Sequence, residues 1–136
     1  MFSNVLIGLK EGVDPVPLLA LASSAVQGPA TFHLATLVRI GNDGDESSRL
    51  RNAESHLENH AQALRKQGYE VSFEAGLVVA AAAADLLRIA ERRSSDLIVI
   101  GLAKRSRVGK ALMGSDAQRV LLGAVCPVLV TRTVEG

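Results

Sequence analysis

The sequence predicts a doubly wound α/β domain: a Rossmann-like parallel sheet of five strands with helices on both faces. Three observations carry this. Five short apolar runs rich in branched residues recur along the chain, the segments between them place apolar residues at three- and four-residue steps, and Gly, Pro, Ser or Asp stands at the junctions. Strands that alternate with helices are joined by right-handed crossovers, which set parallel neighbours side by side beneath the helices.

The first run, "NVLIGL" from Asn4 to Leu9, reads as a strand buried on both faces. Asp14 is placed to cap the next helix with Pro15 at its first position, and Leu18, Leu19, Ala22 and Val26 give that helix an apolar stripe before "QGP" stops it. "ATFHLATLVR", Ala30 to Arg39, is the second strand, and the polar "GNDGDESS" leads into a helix whose Leu50, Ala53, Leu57, Ala61 and Leu64 form one face. Gly68 ends it. Tyr69 to Phe73 is a third strand, and the alanine-rich run beyond it becomes a helix ending near Arg93, with cations favourable at its C-terminus. "DLIVIG" is the fourth strand, Ser115 to Gly123 the fourth helix, and "CPVLVTR" a fifth strand starting after Pro127.

With 136 residues, 48% hydrophobic and 21% charged, one domain spanning residues 1–136 is expected. A net charge of +1 and 3% aromatics without Trp argue against nucleic acid as a partner, since little is offered to phosphates in bulk or to stacked bases. The apolar stretch from Ala75 to Ala84 meets Asp85 well short of the roughly 20 residues of a membrane helix, so no membrane span is expected. Cys126 is the only cysteine, and Met1 to Lys10 lacks the basic start and small-residue cleavage site of a secretory signal. A cytoplasmic location is the expectation.

Open α/β sheets bind ligands beyond the carboxyl ends of their strands, where the strand order reverses. The residues expected there are Lys10, Ile40, Gly76 and Gly101. The C-terminal block, "DLIVIG", a loop, "LMGSDAQRVL" and then "CPVLVTR", closely resembles the universal stress protein family, and length and element order agree along the whole chain. The resemblance implies a sheet of order 3-2-1-4-5, with the reversal between the first and fourth strands and Lys10 and Gly101 flanking the crevice.

Nucleotide-binding members of that family carry a Gly, two residues, a second Gly, nine residues, then Gly-Ser or Gly-Thr, whose amides hold phosphates. Gly101, Gly114 and Ser115 match this frame, while Lys104 stands at the second glycine. Lys10 occupies the place where ATP-binding relatives usually have an Asp, and an ammonium, having three donors and no acceptor, cannot receive hydrogen bonds from a nucleoside. Val38 is placed to offer backbone groups to an adenine. The residues assure no cofactor; ATP or another phosphate-bearing anion is the ligand class the loop admits, with Lys104, Arg105, Arg107 and Lys110 reinforcing anion binding at the helix start. Against this, Ser115 and Gln118 have capping-box spacing, and Asp116 in the first turn opposes an incoming phosphate.

Two readings follow: a non-enzymatic, dimeric stress-response or regulatory protein with an altered nucleotide crevice, or an ATP-binding regulatory switch using the Gly101 to Ser115 loop. Weak ATPase activity would require ATP to bind first, and no general base or metal-binding acid is evident at the crevice. No residue is assigned a catalytic role. His56 and His60 have metal-compatible i, i+4 spacing without a third ligand, so exposed helix residues are expected; His33, without a recognisable Ser or Cys nucleophile, reads as a structural histidine. The strand Val128 to Thr131 lies at the sheet edge in the family order, and the resemblance implies a homodimer through its antiparallel pairing.

Overall fold

The computed structural model describes residues 2–41, 44–103 and 114–133. Its elements run β1 (Asn4–Leu9), α1 (Val16–Ser24), β2 (Thr31–Val38), α2 (Glu46–Lys66), β3 (Glu70–Leu77), α3 (Ala82–Arg92), β4 (Leu97–Ala103), α4 (Ser115–Gly123) and β5 (Val128–Thr133). The strands form one parallel sheet in the order β3-β2-β1-β4-β5, as the family resemblance implies.

This order fixes which helices share a face. Right-handed crossovers from β1 through β2 to β3 move in one direction and leave α1 and α2 on one side; the return to β4 and on to β5 puts α3 and α4 on the other. The alternation of strand side chains supplies both layers from the same residues. Val5, Ile7, Leu34 and Val99 pack with Leu18 and Leu57 beneath α1 and α2. Leu6, Ala35, Ile98 and Ile100 pack with Leu86 and Val120 beneath α3 and α4.

Several local expectations shift. Helix α1 begins at Val16 with Pro15 in the capping position, one residue later than its Asp-Pro start predicts; Asp14 still accepts the Val16 N–H at 3.1 Å. Strand β3 extends to Leu77 rather than stopping at Phe73, because its whole length pairs with β2, from Thr31↔Glu70 to Val38↔Leu77. Gly76 therefore lies inside a strand opposite Leu37, not beyond one. Asp85, only 5% exposed, accepts the Val79 N–H at 2.7 Å and so ties the turn leaving β3 to the first turn of α3. Asp96 joins the starts of β1 and β4 by accepting from the Ser3 and Asn4 amides, each at 2.9 Å. Partial burial pushes its carboxyl up, and the hydrogen bonds from Ser3 and Asn4 outweigh that, leaving it below the usual carboxylate range. No helix among the described residues is long and apolar enough to cross a membrane.

Candidate functional site

The carboxyl ends of β1 and β4 diverge where the strand order reverses, and a cavity of about 290 Å³ opens between them. Leu37, Leu86, Ile100 and Val120 give it an apolar wall. Its rim is charged: Lys10 and Glu11 follow β1, Arg39 follows β2, Arg49 comes from α2 and Asp116 from the first turn of α4. Three cations against two carboxylates leave the rim one charge positive.

Both carboxylates are paired. Arg39 donates from Nη2 to Asp116 Oδ2 at 2.5 Å, while Arg49 grips Glu11 through Nε at 3.1 Å and Nη2 at 2.6 Å. Lys10 has no ion pair among the described residues and is exposed. The described rim thus offers one uncommitted ammonium and no uncommitted carboxylate.

Helix α4 begins beside this rim, but not as the capping-box spacing predicts. Gly114 occupies the capping position in an extended conformation, Ser115 is the first helical residue, and no side chain caps the turn. The Gln118 N–H is paired with the Gly114 carbonyl at 3.1 Å. A serine already inside the helix cannot adopt the extended backbone that lets a cap hydroxyl reach forward, so the first amides keep their capacity to bind an anion.

Lys10 and Gly101 line the cavity together, as the position of the reversal predicts. Gly114 and Ser115 stand at the helix entrance, and the next two residues, Asp116 and Ala117, reach the cavity. Val38 does not line it: its side chain is fully buried and its carbonyl accepts the Val78 N–H at 2.9 Å. The two-residue period of β2 places Ala35, Leu37 and Arg39 on the crevice side and turns Val38 away. Lys104, Arg105, Arg107 and Lys110 lie outside the described residues.

Sequence reasoning missed Arg39, Glu11 and Arg49 at the rim. The same two-residue period running one position past Val38 would have found Arg39. The Glu11–Arg49 pair joins a loop to a helix 38 residues away, and no local pattern announces it.

The other candidates fall elsewhere. His33 is 3% exposed, with Nδ1 2.7 Å from Ser72 Oγ and Nε2 2.7 Å from Glu74 Oε1, so a serine does neighbour it, contrary to expectation. His56 is exposed and His60 half-buried, and the described residues hold no group of three or more metal-capable side chains. Burial raises the Cys126 thiol pKa, with Asp96 adding to the effect, which works against a thiolate.

A parallel sheet with helices on both faces and a charged crevice at its point of reversal defines a doubly wound α/β domain of the kind that holds ligands beyond its strand ends. The family model described as the universal stress protein family matches residues 1–132, and the chain belongs to that family. A universal stress protein from Mycolicibacterium smegmatis is 34% identical over 87 residues, 63% of this chain and 60% of the relative. One from Methanocaldococcus jannaschii is 40% identical over 48 residues, 35% of this chain and 28% of that protein. The matched segments thus span under two thirds of these curated relatives. Among solved structures, a universal stress protein from Archaeoglobus fulgidus superposes with TM-score 0.74 at 22% identity, covering 96% of this chain and 98% of its own. A universal stress protein from the same organism in complex with dAMP gives 0.67 at 20%, covering 95% and 97%.

Proposed function

We propose that this chain is a non-enzymatic, dimeric, cytoplasmic regulatory protein of stress responses whose crevice has turned from gripping a nucleoside to presenting cations. The observation that carries this reading is the Arg39–Asp116 pair at 2.5 Å. Asp116 lies in the first turn of α4, beside the amides that would hold a phosphate, and its carboxylate already takes the favourable place for negative charge. Lys10 meanwhile supplies a donor where a nucleoside's hydroxyl and amino groups need an acceptor. With both rim carboxylates committed to arginines, the described crevice offers no carboxylate to act as general base or to hold Mg²⁺.

A second reading, an adenine-nucleotide switch, is favoured by the uncapped start of α4 and by the A. fulgidus relative that holds dAMP. Heat denaturation of purified protein, with the supernatant assayed for adenine nucleotide, and a thermal-shift titration with ATP separate the two. The altered crevice predicts no released nucleotide and a shift with ATP no larger than with inorganic triphosphate; copurifying ATP overturns it.

Asp116→Asn removes the internal competitor and releases Arg39, so affinity for inorganic triphosphate should rise about fivefold, roughly 1 kcal/mol. Isothermal titration against the parent protein measures it, and an unchanged or weakened affinity removes Asp116 as the guard of the crevice.

The proposed dimer uses β5, which is bonded to β4 on one side only. Leu122 and Val125, 88% and 97% exposed, lie just before that strand and add apolar surface for a second copy to cover.

A further inference from the structure

On the other side of the sheet from the apolar wall of the crevice, a second cavity of about 150 Å³ lies between the loop after β1 and the middle of α2. That is about ten times the roughly 10–15 Å³ needed to admit one water. Leu9, Ala53 and Leu57 form its apolar part; Lys10, Thr36, Asn52, His56 and His60 bring polar groups to it. Helix α2 presents Asn52, His56 and His60 at steps of four, one turn apart on a single face.

Thr36 is the least expected of these. It is 6% exposed, in the middle of β2, and its hydroxyl has no hydrogen-bond partner among the described residues. Alternation along the strand turns it away from the crevice and towards α2. Ser95 Oγ is the one fully buried side-chain N or O atom without a partner among the described residues, so the Thr36 hydroxyl reaches accessible space in this cavity and is free to donate to a group held there.

The lining is rich in donors. Lys10 brings an ammonium, Asn52 an amide, Thr36 a hydroxyl and His60 a ring N–H, while Glu11, the acid in the wall, is gripped by Arg49 through two bonds. Burial, and then the neighbouring His56, lower the His60 pKa, and the Asp14 carboxylate raises it only in part, so the neutral ring is favoured and carries one N–H to donate. We propose that this cavity, which adjoins the crevice across Leu9, Lys10, Glu11, Val13 and Arg49, is a second ligand site that binds a small tetrahedral oxyanion of the phosphate class through Lys10, Thr36, Asn52 and His60. Because Lys10 borders both cavities, an anion here draws its ammonium away from the crevice.

Inorganic phosphate titrated into ¹⁵N-labelled protein tests this by two-dimensional NMR, reading the His56 and His60 rings, the Asn52 side-chain amide and the Thr36 backbone amide against the amides of Ser115 to Ala117. Saturable shifts at the first set are expected. Thr36→Val, which keeps shape and loses only the hydroxyl, and His60→Gln should each weaken binding about tenfold, while Arg39→Ala leaves it unchanged. The spectra themselves show that each variant is folded. Shifts confined to Ser115 to Ala117, an absence of saturable shifts up to tens of millimolar phosphate, or full affinity in Thr36→Val would each overturn the proposal, the last by leaving the cavity to water alone.

Discussion

Val130→Pro is expected to convert the proposed homodimer into a monomer that keeps its fold, whereas Leu129→Pro, one residue earlier, is expected to damage the fold itself. The distinction comes from which way each residue's backbone faces. The Ile98 N–H donates to the Pro127 carbonyl at 3.0 Å, and β5 runs parallel to β4 with Ile98↔Val128 and Ile100↔Val130 in register. In a parallel ladder one residue directs both its N–H and its C=O to one neighbour, and the next residue directs both the opposite way. Pro127, Leu129 and Thr131 therefore face β4, and Val128, Val130 and Arg132 face the free edge. Proline at 130 removes an outward N–H, keeps a compact apolar ring where Val130 packs on the α3 and α4 side of the core, and follows a residue already extended, so the β4–β5 bonds survive. Proline at 129 removes a ladder bond and a side chain packed on the α1 side of the core, for a loss of about 3 kcal/mol. Light scattering at micromolar protein should report a dimeric parent, a monomeric Val130→Pro with stability within about 1 kcal/mol of the parent, and a destabilised Leu129→Pro. A monomeric parent, or a Val130→Pro variant that stays dimeric, would show that β5 is not the interface.

The order of elements was legible because each carries its own periodicity: the stripe Ala53, Leu57, Ala61 and Leu64 is buried as its spacing requires, and α4 spans Ser115 to Gly123 as read. Where an element ends depends on its partner. Strand β3 outran its apolar run since backbone pairing with β2 costs nothing in sequence pattern, and its "EAGL" end carries no strand signature. The site was legible to the same degree. Lys10 and Gly101 follow from the rule that ligands sit at strand ends, and both line the crevice. The Arg39–Asp116 and Glu11–Arg49 pairs join residues 77 and 38 positions apart, so only the assembled sheet brings them together. The same holds for His33, whose partner Ser72 is set opposite it by the β2–β3 register.

That register builds a polar network into an otherwise apolar layer, and Glu74→Ala is expected to cost about 2–3 kcal/mol there. Arg93 donates to Ser72 Oγ at 2.6 Å, so the serine's own proton is free to point at His33 Nδ1, and the ring's N–H lies on Nε2, donating to Glu74. Arg92 also donates to Glu74. Removing the carboxylate orphans a buried ring N–H and leaves two guanidinium groups facing the imidazole with nothing to offset them.

The effect depends on pH in a set direction. Burial lowers the His33 pKa below 6.5; the Glu74 hydrogen bond pulls it back up, and Arg93 and Arg92 push it down. A histidine held neutral in the native state contributes stability above 6.5, and loses it as pH falls from there through the folded pKa, because the unfolded chain takes the proton first. Without Glu74 the folded pKa drops further, and the acid loss deepens. Urea unfolding at pH 8 and pH 5.5 should therefore show Glu74→Ala weaker than the parent at both and falling more steeply between them. Glu74→Gln, which keeps an acceptor for Nε2–H but not the charge, should lie between the two. A loss under about 1 kcal/mol, or the same slope in parent and variant, would mean that Glu74 does not hold the buried imidazole in place.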